Sequence, residues 1–219
     1  MESFNIEIFD VDHTITKKST AVTYLIILIK EKYISPTILP LLPYLYLNYK
    51  YGRMDEKHFD RAIPELKGIK KSVFENIAQE NFEKYIKKSI YPKTAEYIKK
   101  AKENGKKIIL ASSSLDIILE PLAKYLGADD LIATKLKFEN DICTGEFINT
   151  PVFKTEKRKK VIEYAAKNNI SLNKSSFYSD SIHDLPLLEE VGNPVAVNPD
   201  IRLKSLAKKR SWQILNFKN

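Results

Sequence analysis

The stretch NIEIFDVDHTITKKST, residues 5–20, governs how the rest of the chain is read. Ile6 to Phe9 has the makings of a buried strand, yet it runs straight into two carboxylates, Asp10 and Asp12, with His13 and Thr14 close behind. Aspartate is among the poorest strand formers, and two like charges beside an apolar core cost free energy unless something neutralises them. A cation is the candidate this pattern raises.

Outward from that stretch, short apolar runs alternate with helical patterns. A helix is expected over 92–104 behind Pro92, a strand in KKIILA (106–111), and a helix in LDIILEPLAKYLG closed by Gly127. A strand follows near DLIATKL (130–136), then a hairpin across KFENDICTGEFI, a helix over 155–168 and a strand in SSFYS (175–179). A helix over 183–190, a strand in PVAV (194–197), a terminal helix and a short strand complete the series. Strands alternating with helices predict an α/β fold with a Rossmann-like three-layer core and a mainly parallel sheet. Residues 17–89 break this rhythm. They read as helical, punctuated by Pro36, Pro40, Pro43 and Pro64, with Gly52 and Gly68 as turns. The expected organisation is an all-helical cap domain, 17–89, inserted into a core made of 1–16 and 90–219.

Bulk properties narrow the classes. A chain of 219 residues, 43% hydrophobic and 29% charged, fits one ample core with a small inserted domain, not a disordered or fibrous protein. Cys143 is the single cysteine, so no intramolecular disulfide forms, and no metal-ligand spacing surrounds it. The net charge of +8 comes from lysines spread through helical runs such as YIKKAKENGKK. Such spreading reads as solvated faces, so no specific nucleic-acid partner is expected, while a mild pull on anionic substrates follows. From Ala21 to Tyr51 the chain is strongly apolar, but Lys30, Glu31 and Lys32 cut it well short of the ~18–20 residues a spanning helix needs. Its second piece, ILPLLPYLYLNYK, leaves open a peripheral contact of the cap with a membrane surface beside ordinary packing. Glu2, Glu7 and Asp10 interrupt the opening residues, so no signal peptide is read and a cytoplasmic location is expected.

In a doubly wound sheet, ligands bind beyond the carboxyl ends of the strands. The sequence puts polar groups at such places: Asp10 and Asp12, Ser112 to Ser114 after KKIILA, Asp180 and Asp184 after SSFYS, and Lys157 near a helix start. Carboxylates gathered from separate loops suit a hard cation, and Mg2+ takes one or two of them while keeping places for water and phosphate oxygens. Zinc fits poorly, since no His or Cys cluster accompanies them. A metal would lower the cost of gathering the aspartates and neutralise an incoming phosphate. Asp10 is then placed to act as a nucleophile, as aspartates do in aspartyl-phosphate chemistry.

DVDHT at 10–14, SSS at 112–114, Lys157 in FKTEKRKKVIEYA and YSDSIHDLPLLEEVGNPVAVNPD from 178 onward resemble, in order, the four motifs of the haloacid dehalogenase superfamily. The resemblance is to its phosphoserine-phosphatase-like branch, subfamily IB, whose helical C1-type cap is inserted after the first motif. It implies Mg2+-dependent hydrolysis of a small phosphorylated substrate through an aspartyl phosphate on Asp10. Asp12 would protonate the leaving oxygen and then deprotonate the hydrolytic water. Ser112, the N–H of Ser113 at the start of the following helix, and Lys157 would hold the phosphoryl group. Asp10, the carbonyl of Asp12 and Asp180 would hold Mg2+, with Asp184 behind them or joining the ligand set. Ser114 is read either as part of this loop or as a plain helix cap. A phosphotransferase using the same intermediate is a rival reading. A non-catalytic phosphate-binding module is another, though it has no need of both a nucleophile and a general acid.

The chain departs from the family pattern at several positions. His13 stands where the family usually has a small residue, often glycine or serine. His183 stands where phosphoserine phosphatases carry an asparagine near the phosphate, and histidine can donate there too. Those enzymes hold their amino acid with a glutamate nine residues beyond the nucleophile and an arginine six residues before the glycine of LKG. Here Ser19 and Ala62 occupy these places, with Arg61 adjacent. Losing both charges disfavours phosphoserine. The tyrosine-bearing apolar run before Gly52 is similar to caps of relatives that act on phosphatidylglycerophosphate or other lipid phosphates. The substrate and the oligomeric state are not legible at this level.

Overall fold

A computed structural model describes residues 6–41, 44, 47 and 63–218. Its strands are β1 (Ile6–Phe9), β2 (Lys107–Leu115), β3 (Asp130–Thr134), β4 (Leu136–Glu139), β5 (Ile142–Phe147), β6 (Ser176–Ser179), β7 (Asn193–Val197) and β8 (Gln213–Leu215). Its α-helices are α1 (Thr20–Lys30), α2 (Lys71–Asn81), α3 (Pro92–Glu103), α4 (Asp116–Leu126), α5 (Thr155–Lys167), α6 (Leu185–Leu188) and α7 (Ile201–Lys209).

The apolar residues of the strands alternate between two faces, and this alternation builds three layers. Phe9, Ile108, Leu110, Tyr178, Val195 and Val197 pack on one side with Ile98 of α3 and Leu119 and Leu122 of α4. Ile6, Ile8, Ile109, Ala111, Phe177 and Ala196 pack on the other with Val161 of α5, Leu187 of α6 and Leu203 of α7. The sheet has six strands in the order β3-β2-β1-β6-β7-β8. Every neighbouring pair is parallel. The chain winds outward from β1 in one direction and from β6 in the other, so a crevice opens between their carboxyl ends.

Local sequence explains where several elements stop. Gly127 takes the left-handed conformation, φ 63°, that closes α4. Asp200 accepts from Leu203 N–H at 2.8 Å and starts α7. A Cβ on Gly192 would collide with the Asn173 carbonyl oxygen, so only glycine lets β7 begin so close to the turn before β6. The expected hairpin forms from β4 and β5, turning at Asn140 and Asp141 with φ of 48° and 61°. Two consecutive positive φ angles are the signature of the primed turn that suits twisted strands.

Two boundaries differ from expectation. The strand expected over 106–111 runs on to Leu115, with a register shift against β3 between Ala111 and Leu115. The helix expected over 183–190 is instead a 3-10 turn, Ile182–Asp184, followed by the single turn of α6. Pro186 lacks an N–H and fits only a first helical turn, so the helix restarts there.

The described part of 17–89 forms α1, α2 and short 3-10 and π turns. A third apolar cluster joins Tyr24, Ile27 and Leu28 of α1, Phe74 and Ile77 of α2, Ile117 and Ile118 of α4, and Leu136 and Cys143 of the hairpin. Phe82 and Ile86, in the π turn after α2, pack with the sheet. The chain leaves and re-enters the α/β core side by side: Thr16 bridges Ile90, Lys17 N–H donates to Ser89 O at 2.7 Å, and Tyr91 N–H to Ile15 O at 2.9 Å. Pro43, Gly52, Arg61, Ala62 and most of ILPLLPYLYLNYK lie outside the described residues. Among the described residues, no helix is long and apolar enough to cross a membrane.

Candidate active site

Asp10 is the first residue beyond β1, and its N–H still donates to Tyr178 O of β6 at 2.9 Å. That bond fixes its carboxylate in the crevice where the winding reverses. Lys157, in the first turn of α5, reaches into the same crevice with its side chain only 4% exposed. Its Nζ lies 2.9 Å from Asp10 Oδ1 and 2.7 Å from Asp184 Oδ1. A buried ammonium is tolerable only when paired, and here it is paired twice. Asp184 Oδ2 in turn accepts from Ser179 Oγ at 2.7 Å, so the end of β6 orients it. Thr14 Oγ1 stands 3.5 Å from both Asp10 Oδ2 and Asp180 Oδ1, relating the loop after β1 to the loop after β6.

Two carboxylates, Asp10 and Asp184, pair with one ammonium, and a third, Asp180, is buried nearby. Burial pushes the Asp10 carboxyl up to about 7, against the pull of Lys157 and helped by Asp184. Burial, with Asp10 and Asp184 nearby, holds Asp180 well above the usual carboxylate range. For Lys157 burial works towards a lower pKa, but Asp10 and Asp184 outweigh it and keep the ammonium protonated. The crevice is therefore short of positive charge. Among the described residues no group of three or more His, Cys, Asp or Glu side chains is drawn together for a metal ion. A pair of carboxylates such as Asp10 and Asp180 nevertheless fits Mg2+, which completes its shell with carbonyl, water and phosphate oxygens.

Asp12 is held differently. Its Oδ2 accepts from Ser19 Oγ at 2.8 Å and its Oδ1 from Thr20 N–H at 2.9 Å, at the amino end of α1 where the helix dipole favours an anion. Ser19, at the place of the substrate-holding glutamate, is thus a helix cap whose Oγ also accepts from Val22 N–H at 3.4 Å. Ser112 is buried, Ser113 is exposed, and both belong to the overrun of β2. Helix α4 begins only at Asp116, so the Ser113 N–H lies before its first turn. Ser114 does not cap that helix either: its Oγ is 2.9 Å from Thr20 Oγ1, and its N–H donates to Ser112 Oγ at 3.2 Å.

His13 has φ 64°, in the left-handed region that glycine adopts at least cost. Its carbonyl accepts from Asn198 Nδ2 at 3.4 Å. His183 is buried, its ring 5.4 Å from that of Phe153 and its N–H donating to Ser181 Oγ at 3.3 Å. Thr14, Thr20, Ser179 and Asn81 were not singled out as site residues by the sequence. Thr14 stands inside the first motif and Ser179 at a strand end, so a signal existed for these two; nothing in the sequence marks Thr20 or Asn81.

The site is thus a crevice at the carboxyl ends of a parallel α/β sheet, with buried carboxylates gathered around one lysine. The chain belongs to the haloacid dehalogenase-like hydrolases, whose family profile matches residues 8–189. Histidinol-phosphatase of Neisseria meningitidis serogroup C (strain 8013) is 30% identical over 220 residues, covering 98% of this chain and 99% of that one. A solved protein with unknown function from Bordetella pertussis Tohama I superposes with a TM-score of 0.88 at 24% identity, covering 99% of this chain and 100% of that one. The phospho-aspartyl intermediate analogue of phosphoserine phosphatase superposes with a TM-score of 0.71 at 18% identity, covering 100% and 95%. The Rossmann-like core expected from the sequence is the fold these structures share. The expected enzyme class holds as well: a haloacid dehalogenase-type hydrolase with phosphatase-named relatives.

Proposed function

We propose that the chain is a Mg2+-dependent phosphatase that hydrolyses a small phosphomonoester through an aspartyl phosphate on Asp10. The observation that carries this reading is the Lys157 ammonium, buried between Asp10 Oδ1 and Asp184. It supports a reading in which Asp10 Oδ1 attacks and Lys157 supplies fixed positive charge where the phosphoryl oxygens gain negative charge. Asp10 Oδ2 and Asp180 Oδ1, both beside Thr14, would hold Mg2+ with the carbonyl of Asp12. When bound, the ion neutralises phosphate charge and lets Asp10 remain ionised at neutral pH.

Asp10 Oδ1 attacks phosphorus in line, and the bond to the leaving oxygen breaks as Asp12 gives that oxygen a proton. Asp12 then takes a proton from water, which attacks the same phosphorus and releases inorganic phosphate with Asp10 regenerated. Ser112, Ser113, Lys157 and His183 orient the phosphoryl oxygens. The insert 17–89 acts as a cap that shields the crevice from bulk water over a core of 1–16 and 90–219.

Ser19 carries no charge and is engaged by Asp12, which argues against phosphoserine as the preferred substrate. Histidinol phosphate, named in the N. meningitidis relative, is the first substrate to try. Turnover of p-nitrophenyl phosphate, histidinol phosphate, phosphoserine, sugar phosphates, nucleotides and detergent-dispersed lipid phosphates should be compared by kcat/KM, with and without Mg2+. Wild type no better than Asp10→Asn on every ester, between about pH 5 and 9, would falsify the assignment.

A further inference from the structure

We propose that Thr20 is a positioning residue that couples the acid–base carboxylate of Asp12 to the serines at 112–114. The inference rests on the phosphatase reading and assigns a role to a residue outside the four motifs. Thr20 is fully buried and is the first residue of α1. Each of its polar groups reaches a different part of the molecule. Its N–H donates to Asp12 Oδ1 at 2.9 Å, in the loop after β1. Its Oγ1 lies 2.9 Å from Ser114 Oγ, in the overrun of β2. Its carbonyl accepts from Asn81 Nδ2 at 3.3 Å, at the end of α2. From Ser114 the connection continues through its N–H to Ser112 Oγ at 3.2 Å.

A single buried residue thus contacts the proton-handling group and, through Ser114, connects to Ser112, the serine expected to hold the phosphoryl oxygens. Asn81 supports the reading. It is fully buried, and among the described residues its Oδ1 is the buried side-chain polar atom without a partner. An amide left half satisfied is a cost that an apolar residue at the same place would remove. Asn81 Nδ2 helps to hold the Thr20 carbonyl, which also accepts from Thr23 Oγ1 at 3.1 Å, and thereby the first turn of α1. The methyl group of Thr20 restricts rotation about χ1, so the hydroxyl stays aimed at Ser114.

The two arms give separable effects. Thr20→Val keeps shape and the N–H but removes the hydroxyl, which frees Ser114 and lets the amino end of α1 drift away from Asp12. Two esters distinguish the consequences. A β-glycerol phosphate leaving group needs the Asp12 proton, whereas p-nitrophenolate leaves with little help. Thr20→Val is expected to raise KM and the inhibition constant for inorganic phosphate about tenfold, and to lower kcat about tenfold more for glycerol phosphate than for p-nitrophenyl phosphate. Thr20→Ser, which keeps the hydroxyl, should restore both. Ser114→Ala should reproduce the weaker phosphate affinity with a smaller leaving-group effect, and it carries the test if Thr20→Val does not fold.

Normal KM, phosphate inhibition and leaving-group dependence in a folded Thr20→Val, or in Ser114→Ala where that variant is used, overturn the coupling while leaving the phosphatase reading intact. So does an equal loss on both esters that Thr20→Ser fails to rescue, since that is the mark of a merely structural role. A wild type no better than Asp10→Asn overturns both.

Discussion

Lys157 carries more of the crevice than any one carboxylate, because two buried acids pair with its single ammonium. Lys157→Met should cost ~3–5 kcal/mol of stability in metal-free protein, the usual penalty for breaking a buried pair. Urea unfolding would show it, and the loss should be smaller at acid pH, where Asp10 and Asp180 are neutral. The pH dependence of the metal-free wild type has a definite sign. Asp10 titrates at about 7 in the folded chain against 3.8 as its reference value, so its contribution is full below about pH 4 and fades as pH rises to about 7. Thermal midpoints should fall across that window, Asp10→Asn should flatten the fall, and added Mg2+ should oppose it. At this scale the sequence singled out Asp10, Asp180 and Asp184 beyond strand ends and Lys157 near a helix start, and the fold brings Asp10, Asp184 and Lys157 into direct contact. It was mute on Thr20 and Asn81 and left Ser114 between two readings, because their meaning lies in contacts across 61 to 94 residues.

At the scale of elements, local signals were read well where one residue decides a conformation and poorly where tertiary pairing extends an element. Gly127 and the hairpin turn belong to the first kind. The overrun of β2 belongs to the second, since three serines are poor strand residues and are held there by pairing of Leu115 with Thr134 beyond a register shift. The hairpin supports a stability prediction. Asp141 sits at φ 61°, where glycine is the favoured second residue of a primed turn. Asp141→Gly should therefore raise stability by up to ~1 kcal/mol, visible as a higher thermal midpoint with unchanged kcat. A lower midpoint would show that the Asp141 side chain contributes more than its backbone strain costs.

Across the whole molecule, the helical insert and the α/β core share their apolar interior. The third cluster takes residues from α1 and α2 of the insert together with α4 and the hairpin, so among the described residues the insert buries its apolar surface against the core. Calorimetry should accordingly record one cooperative transition. Phe74→Ala, in the middle of that cluster, should lower stability by ~3–5 kcal/mol without splitting the transition. A resolved early step would mean that the insert has a core of its own. This sharing was not legible in the sequence, where the break in rhythm at 17–89 suggested separate units and nothing linked Ile117 or Cys143 to α1. The adjacent crossing at Thr16 and Ile90, with Lys17 N–H bonded to Ser89 O at 2.7 Å, carries a consequence for divergence. An excursion whose two ends already touch asks little of the rest of the chain when its length changes, since halving it alters the closure entropy by only ~0.6 kcal/mol. Descendants can therefore lengthen, trim or replace that excursion, and explore new leaving groups, while the crevice that handles phosphorus is inherited unaltered.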